Sequence, residues 1–311
     1  MTDNYSYRFS IFTATYNRGE KLYQVYQNLL NQTFKDFEWV IINDGSSDNT
    51  DEIVKQIIQK SPFQIQYLNK PNGGKHTAWR EATKLFRGRY VVGADDDDTI
   101  LPNALELYDR HWKILENDEK YDSFWEIRSR VKREDGLIFT PQLPLPWFDS
   151  DYNEINYKFR FNGLEMSSCR KVEVLRTEAA VPLKFFFDDE VSNFPEGIRW
   201  SRAARKYKTR FIPDITRIYN LTPDSLTKSS KNQRNKKRTY NTLVGSLYAL
   251  KEQKDLMMKF KKLKYIKECC VCGYTSICLR IPVSKLPLSN YEKNLIHLLK
   301  PLLYIAYKIR G

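Results

Sequence analysis

Several features that define common classes of protein are missing from this sequence of 311 residues. It has no run close to the roughly 18 apolar residues that a membrane-spanning helix needs. Residues 1–4 are polar and lack the basic and apolar parts of a secretory signal peptide. Its three histidines, His76, His111 and His297, stand too far apart to indicate a metal trio or a catalytic triad. We therefore expect a cytoplasmic protein whose chemistry does not depend on a histidine cluster.

Cysteine is also scarce, and its spacing does not indicate a metal site. Four of the five cysteines lie close together, but they do not form the two C-x-x-C pairs, or have the nearby histidine, that a structural zinc site would require. The four are Cys269, Cys270, Cys272 and Cys278. We interpret them as reduced thiols in a partly buried segment.

Net charge is unevenly distributed along the chain. The whole sequence carries 51 Lys and Arg against 38 Asp and Glu, which gives a net charge of +13. Residues 1–220 contain 32 basic and 33 acidic side chains, whereas residues 221–311 contain 19 and 5. The sequence therefore predicts a nearly neutral body with a basic C-terminal segment, and a basic charge confined in this way does not by itself indicate nucleic-acid binding.

The first hundred residues alternate between strand-like and helix-like patterns, which predicts an α/β fold with a mainly parallel sheet. Predicted strands are Phe9–Ala14, Phe37–Ile42, Ile65–Leu68 and Arg89–Gly93. Predicted helices follow the first three strands, near Leu22–Leu30, Ile53–Ile58 and His76–Phe86. Polar clusters follow three of the strands, where ligands bind in sheets of this kind. They lie at 15–17, 44–47 and 95–98.

Four consecutive aspartates, Asp95 to Asp98, follow the fourth predicted strand. Like charges this close raise one another's pKa, and a divalent cation relieves the repulsion. Carboxylate oxygens suit Mg²⁺ or Mn²⁺. In an extended segment Asp95 and Asp97 would face one side and Asp96 and Asp98 the other, so that one pair could serve a ligand. A solvated acidic turn that caps the next helix is the alternative.

Four segments in order resemble the family 2 glycosyltransferases. They are Ser10–Arg18, Val40–Thr50, Asn72–Ala78 and Gly88–Asp98, and the resemblance extends over roughly residues 8–220. It implies the GT-A fold, a Rossmann-like mixed and mainly parallel sheet flanked by helices. We expect residues 1–110 to form its nucleotide-sugar-binding half, 111–224 its acceptor-binding half, and 225–311 a basic loop and helical C-terminal extension.

The resemblance also implies a role for each matching position. Thr15, Tyr16 and Asn17 would line the nucleoside pocket, and Asp44 would read the nucleobase, although Asp44 also fits a turn with an Asx hydrogen bond. The other expected donor-binding residues are Gly74, Lys75, Asp95 and Asp96. Asp97 would bind a Mn²⁺ or Mg²⁺ cofactor that bridges the donor diphosphate, with Asp95 or Asp98 as a further ligand or as a support.

An inverting transferase needs one general base to deprotonate the acceptor hydroxyl. In the family the base lies near a Glu-Asp pair that opens a helix, and here Glu196 matches the first acid while Gly197 replaces the second. Asp188, Asp189 and Glu190 lie just upstream and are the alternatives. Each of these acids could instead stabilise the N-terminus of a helix. Trp200 could be a core residue or a platform for a sugar.

The expected function is metal-dependent, inverting transfer of a sugar from a nucleotide sugar to a hydroxyl of a glycan or lipid-linked oligosaccharide, and the expected donor is a UDP-sugar. A non-catalytic nucleotide-sugar-binding or scaffold protein on the same fold is the main alternative. A nucleotidyltransferase would be expected to have a Gly-rich basic loop after its first strand, and residues 15–19 do not resemble one.

The C-terminal segment carries a further expectation. Residues 228–238 are too charged for a core and predict a loop, and Thr227 begins a segment of a kind that closes over the diphosphate in similar enzymes. Beyond it, an apolar stripe of Leu295, Leu298, Leu299, Leu302, Leu303 and Ala306 lies opposite Lys293, His297, Lys300 and Lys308. This helix could lie on the anionic inner face of the cell membrane or pack back on the protein. Binding to nucleic acid is not expected, because the segment has no recognisable motif for it.

Overall fold

The computed structural model describes residues 5–140, 142–157, 165–179, 196–221 and 236–310. Within these residues one mixed nine-stranded sheet forms the centre of the fold, with helices on both faces. The strands are numbered β1 to β9 in chain order, with the bounds given below. Across the sheet they lie in the order β3-β2-β1-β4-β8-β6-β9-β5, and β7 pairs with β9 outside this path. The predicted α/β fold with a mainly parallel sheet is confirmed.

The N-terminal half follows the predicted alternation of strands and helices. Its strands are β1 (Tyr7–Thr15), β2 (Phe37–Asn43), β3 (Ile65–Asn69) and β4 (Gly88–Gly93). Its helices are α1 (Gly19–Leu30), α2 (Thr50–Lys60) and α3 (Lys75–Leu85). All four strands are parallel, because each helix carries the chain back to the same end of the sheet. Their carboxyl ends therefore meet at one edge.

The second half completes the sheet with strands of both directions. Its strands are β5 (Asp98–Ile100), β6 (Phe124–Arg133), β7 (Phe148–Ser150), β8 (Met166–Lys171) and β9 (Lys208–Tyr219). Its helices are α4 (Ala104–Glu116), α5 (Tyr152–Tyr157), α6 (Val172–Val174) and α7 (Glu196–Ala203). Strand β8 runs antiparallel to both β4 and β6. The sheet is thus continuous across residue 110.

Two apolar layers enclose the sheet. Helices α1, α2 and α4 cover one face, where Trp112 of α4 stacks on Tyr90 of β4 with 4.1 Å between ring centroids. Helices α3 and α7 cover the other face, where Trp79 and Trp200 meet edge to face at 5.9 Å. Because each helix has one apolar face, burial of that face fixes its position over the strands.

Strand β4 can lie beside β1 because residue 88 is glycine. A Cβ atom added at Gly88 would lie 2.3 Å from the backbone nitrogen of Ser10 and 2.4 Å from the carbonyl carbon of Phe9, and backbone atoms cannot move aside locally. We expect Gly88→Ala to destabilise the fold by about 3 kcal/mol through overpacking. Chemical denaturation of the variant would measure this loss.

Gly93, at the other end of the same strand, provides the matched control. A Cβ atom there would meet its nearest neighbour, the ring of Trp79, at 3.9 Å, which is an ordinary contact. The Gly93→Ala variant should therefore have nearly the same midpoint of denaturant unfolding as the wild type. Equal midpoints for the two variants would contradict the steric explanation.

Three long helices form the C-terminal extension. They are α8 (Lys236–Phe260), α9 (Lys262–Leu279) and α10 (Asn290–Arg310). They share an apolar core of their own, which includes Cys269 and Cys272. All five cysteines are free, as expected. Lys236 to Arg238 belong to helix α8, so the predicted loop ends earlier than residue 238, and its remaining residues, 228–235, lie outside the described ranges.

The extension is attached to the sheet domain by ion pairs. Arg202 of α7 binds Glu252 of α8, and Arg205 binds Asp255 at 2.7 Å. None of the described helices is long and apolar enough to cross a membrane.

Candidate active site

The carboxyl ends of β1, β2 and β4 meet at one edge of the sheet, and the first turns of α3 and α7 lie beside them. Each strand there ends in one of the polar clusters that the sequence indicates. Hydrogen bonds between the clusters hold them together, beginning with the bond from the backbone nitrogen of Asp44 to the carbonyl oxygen of Thr15, at 2.9 Å. The sequence prediction that these clusters share a site agrees with this geometry.

The first cluster joins β1 to the loop after β2. Asn17 adopts the left-handed conformation at φ 53°, and its side-chain oxygen accepts a hydrogen bond from the backbone nitrogen of Ser47 at 2.7 Å. Its own backbone nitrogen donates to the hydroxyl of Ser46 at 2.9 Å. Tyr16 follows the buried Thr15 and is half exposed at the edge of the sheet. The ring is therefore accessible for stacking against a planar ligand.

Asp44 holds the glycine loop that precedes α3. Its two carboxylate oxygens accept hydrogen bonds from the backbone nitrogens of Gly73, at 3.0 Å, and Gly74, at 2.7 Å. The ammonium of Lys70 binds the same carboxylate. Gly45 makes the approach possible, because a Cβ atom there would lie 2.7 Å from the backbone nitrogen of Asn72. The sequence predicts an Asx-type turn or a nucleobase contact for Asp44, but it does not reveal this loop-holding role.

The four aspartates form a turn, in which the backbone nitrogen of Asp98 donates to the carbonyl oxygen of Asp95 at 3.2 Å, so the expected extended segment is wrong. Their side chains nevertheless alternate between partly exposed and buried positions. Asp96 and Asp98 are buried, whereas Asp95 and Asp97 are partly exposed at the site. The segment therefore presents one pair of carboxylates to a ligand and uses the other pair to fix its own conformation.

Arginines from distant parts of the chain stabilise the inward pair. Arg18 binds Asp96 at 2.9 Å, and Arg217 of β9 binds Asp98 at 2.9 Å. Burial raises the pKa of Asp96, although Arg18 opposes the shift. Burial also raises the pKa of Asp98, to about 7, although Arg217 opposes that shift. Sequence patterns reveal neither pairing, because each depends on the tertiary fold. The ion pair with Arg217 fits Asp98 as a support for the loop rather than a metal ligand.

The outward pair has cationic neighbours of its own. Lys75, at the start of α3, binds Asp95 at 2.7 Å, and the second guanidinium contact of Arg18 reaches Asp97 at 3.2 Å. Burial favours a raised pKa for Asp95, but the charges of Lys75 and Arg217 hold it below its usual value. Two expected donor-binding residues, Lys75 and Asp95, thus form one ion pair.

The aspartate segment suits a divalent cation that arrives with its substrate. Among the described residues no three His, Cys, Asp or Glu side chains converge into a metal cage. Mg²⁺ is commonly bound through one or two carboxylates, with phosphate oxygens and water completing its shell. The partly exposed carboxylates of Asp95 and Asp97 meet that requirement. Hard carboxylate donors fit Mn²⁺ equally well.

Glu196 is the first residue of α7 and lies near the ion pair. Its charge and that of Asp95 both raise the pKa of Lys75 against the effect of burial. Within the described part of the chain no hydrogen-bond donor reaches its buried atom Oε1. This position keeps Glu196 among the candidates for the general base. The alternatives Asp188, Asp189 and Glu190, and the predicted mobile residues Thr227 and Lys228, lie outside the described residues.

Trp200 is a core residue and not a platform for sugar. It is almost fully buried, packs against Trp79 and Trp125, and receives the guanidinium of Arg170 at 4.0 Å from its ring centroid. Its face is therefore already covered.

His76, beside Lys75, makes the stability of the folded protein depend on pH. Burial lowers the pKa of His76 to about 4, and the nearby charges of Arg199 and Arg80 act in the same direction. Between pH 6.5 and 4 the unfolded chain takes up a proton that the folded chain does not, so stability falls as pH falls through this window. Thermal unfolding of His76→Leu should show a smaller loss between pH 6.5 and 4.5 than the wild type.

His297→Leu is the control, because His297 is exposed on α10. It should lose stability with falling pH as steeply as the wild type does. If His76→Leu also kept the wild-type slope, the buried neutral histidine would not be the cause.

Comparison with known sequences identifies the family. The profile described as Glycosyl transferase family 2 matches residues 10–171, which is more than half of the chain. The chain is a family 2 glycosyltransferase. The residues that it matches include the three polar clusters and all four aspartates. The assignment to an enzyme family also supports catalysis over the alternative of a scaffold protein.

Relatives of this glycosyltransferase support the assignment over most of its length. The glycosyltransferase MJ1057 of Methanocaldococcus jannaschii is 35% identical over 237 residues, which cover 75% of this chain and 77% of that protein. A chondroitin synthase of Pasteurella multocida is 37% identical over 98 residues, which is 32% of this chain. This chain spans only 10% of that synthase.

Solved structures share the fold of this glycosyltransferase. S. aureus TarS 1-349 in complex with UDP matches with a TM-score of 0.59 at 15% identity, over 98% of this chain and 92% of that one. The mannosyltransferase PcManGT of Pyrobaculum calidifontis, in complex with GDP-Man and Mn²⁺, matches with a TM-score of 0.54 at 14% identity, over 96% and 81%. Identities this low support the GT-A architecture alone.

Proposed function

We propose that this glycosyltransferase transfers a sugar from a nucleotide-sugar donor, of the UDP class, to a hydroxyl of a glycan or lipid-linked oligosaccharide in the synthesis of a surface polysaccharide. The observation that carries the proposal is the outward pair Asp95 and Asp97 at the carboxyl edge of the sheet, beside Lys75. The relatives that include a chondroitin synthase support a polysaccharide product, and the complex of TarS with UDP supports the nucleotide.

The donor would lie across the three clusters. The exposed ring of Tyr16 would stack on the base, and Asp44 with its glycine loop would shape the nucleoside pocket. Asp97, with Asp95 beside it, would hold Mg²⁺ or Mn²⁺, which when bound neutralises charge on the diphosphate leaving group. Lys75 supplies a second positive charge at the same place, where it is now bound to Asp95. The complex of PcManGT with Mn²⁺ supports the choice of metals.

Glu196 would act as the general base in one displacement. Its carboxylate would take the proton of the acceptor hydroxyl as that oxygen attacks the anomeric carbon. The bond between this carbon and the diphosphate oxygen breaks on the opposite side, so the leaving group departs as a nucleoside diphosphate. The configuration at the anomeric carbon is therefore inverted.

Calorimetric titration with UDP-GlcNAc, UDP-glucose and GDP-mannose, each with Mn²⁺ or with a chelator, tests the donor and metal assignments. We expect UDP-sugars to bind with Mn²⁺, and the chelator to weaken binding. Asp97→Asn should lower donor affinity in Mn²⁺ by roughly 100-fold, because it removes a charged ligand.

Asp135→Asn is the matched control for this titration, because Asp135 is an exposed aspartate bound to Arg133 in a turn of the second half. It should bind donor as the wild type does. Binding that needs no metal, or that is unchanged in Asp97→Asn, would overturn the assignment, and preferential binding of GDP-mannose would replace the UDP class.

A further inference from the structure

The terminal helix α10 has two apolar faces, and its packing within the protein covers one of them. Ile296 is buried in the core of the helical extension, with Leu295 and Leu303 packed beside it. Gly273 of α9 permits this close approach, because a Cβ atom there would lie 2.6 Å from Leu303 and 2.8 Å from Ile296. Part of the apolar stripe predicted from the sequence therefore packs back on the protein.

The other face remains exposed to solvent. Leu298, Leu302 and Ile305 expose 77%, 66% and 54% of their surface, and Tyr291 lies one heptad before Leu298 with 65% exposed. Spacings of seven, four and three residues place the four side chains on one side of a helix. Large apolar side chains aligned in this way on a solvent-exposed surface mark an interaction site, whereas single exposed ones do not.

The charge of the extension indicates the kind of surface that this face fits. Residues 236–310 contain sixteen Lys and Arg but four Asp and Glu. Two of these acids, Glu252 and Asp255, bind Arg202 and Arg205 outside the extension. Glu292 binds Lys254 within it at 2.8 Å. Three of the four carboxylates are thus bound to basic side chains of the protein itself, and the exposed surface is strongly positive.

We propose that α10 docks on an anionic lipid bilayer, with Leu298, Leu302 and Ile305 inserted at the level of the headgroups and the lysines of the extension on the lipid phosphates. Burial of the apolar side chains and attraction of the basic residues to the lipid phosphates act together. A second copy of the chain is a poorer occupant, because it would bring two strongly positive extensions together. RNA would satisfy the charge but would leave the leucines in water.

Docking in this way would also orient the catalytic half. The ion pairs of Arg202 and Arg205 connect α8 to the end of α7, and Glu196 is the first residue of that same helix. The extension is therefore connected to the active site through one short helix, so a bound bilayer would set the direction in which the acceptor side of the site faces.

Flotation with lipid vesicles tests the proposal on the full chain without any donor. The wild type should float with vesicles of phosphatidylcholine mixed with phosphatidylglycerol, should remain in the soluble fraction with phosphatidylcholine alone, and should dissociate as salt is raised. The triple variant Leu298→Ser, Leu302→Ser and Ile305→Ser should bind the anionic vesicles on the order of 100-fold more weakly.

A matched control removes two exposed leucines elsewhere. Leu137 and Leu145, in the second half of the sheet domain, expose 53% and 74% of their surface. The double variant Leu137→Ser and Leu145→Ser should float as the wild type does. Thermal unfolding and donor titration of all variants should be unchanged, so failure here would be distinct from failure of the proposed catalysis.

Three results would overturn the proposal. The triple variant could float with anionic vesicles as well as the wild type does. The wild type could be a dimer in solution that the triple variant dissociates, which would make a second copy the occupant. It could also bind single-stranded RNA in a salt-sensitive manner but not anionic vesicles, which would assign the basic surface to nucleic acid.

Discussion

Replacement of Glu196 by glutamine is expected to lower kcat for sugar transfer by roughly a thousandfold while leaving the Kd for the donor unchanged. Glutamine keeps the shape of the side chain but cannot accept the proton of the acceptor hydroxyl, and a positioned base contributes about 10²–10⁴ to the rate. Steady-state kinetics of wild type and variant with the same glycan acceptor would measure kcat, and donor titration would measure Kd.

The control for this substitution lies nearby. Glu165→Gln changes another acid in the same half of the protein, where Glu165 binds Arg217, and it should retain most of the activity. If Glu196→Gln were fully active and Asp188→Asn, Asp189→Asn or Glu190→Gln were inactive, the base would be one of the upstream alternatives. Loss of donor binding in Glu196→Gln would contradict a role confined to the acceptor proton.

The largest expected effect on stability comes from Glu126, a fully buried residue of β6 that lies opposite Arg170 of β8. Its carboxylate binds Arg170 at 2.7 Å and Arg128 at 2.9 Å and accepts a hydrogen bond from Thr209 at 3.1 Å. Glu126→Ala removes the carboxylate that binds the buried guanidinium of Arg170 and the partly buried guanidinium of Arg128. We expect a loss of about 3–5 kcal/mol in the free energy of unfolding, and a fall of roughly 10 °C in Tm.

Calorimetry of the variant over a range of pH would test the electrostatic cause. Burial favours a raised pKa for Glu126, but Arg128 and Arg170 hold it below its usual value. Its contribution is therefore present above the pKa of the unfolded chain and is lost as pH falls through the lower folded value. The difference in Tm between wild type and variant should shrink in acid.

Asp135→Ala, which breaks an exposed ion pair with Arg133, should leave Tm unchanged, because surface ion pairs contribute little. A fall in Tm as large as that of Glu126→Ala would show that loss of any carboxylate destabilises the protein. An unchanged Tm in Glu126→Ala would mean that the two arginines find other partners.

The N-terminal half could be predicted closely from its sequence. Strands β1 to β4 and helices α1 to α3 alternate within a hundred residues, and each has an apolar pattern of its own period, which is a local property of the chain. The grouping of Asp95 with Asp97 also agrees with the sequence prediction, although the segment forms a turn and not the extended backbone from which it was predicted. Neither result needed information about distant residues.

The partners of the site could not be predicted in this way. Arg18 and Asp96 are separated by 78 positions in the chain, and Arg217 reaches Asp98 from the last strand of the sheet. An arginine in a sequence carries no sign of the carboxylate that it will bind. Only the order of the strands, with β9 beside β5, brings Arg217 to the aspartate segment.

The sequence by itself determined the family, the mainly parallel sheet, the clustered polar loops and the confinement of positive charge to the C-terminal segment. These properties depend on residue type and on spacing over a few turns or strands. The tertiary structure decided which partner holds each buried carboxylate, that Trp200 belongs to the core, and which side of α10 stays exposed. Each of these depends on what packs against a side chain, and burial is a property of the folded neighbours rather than of the residue.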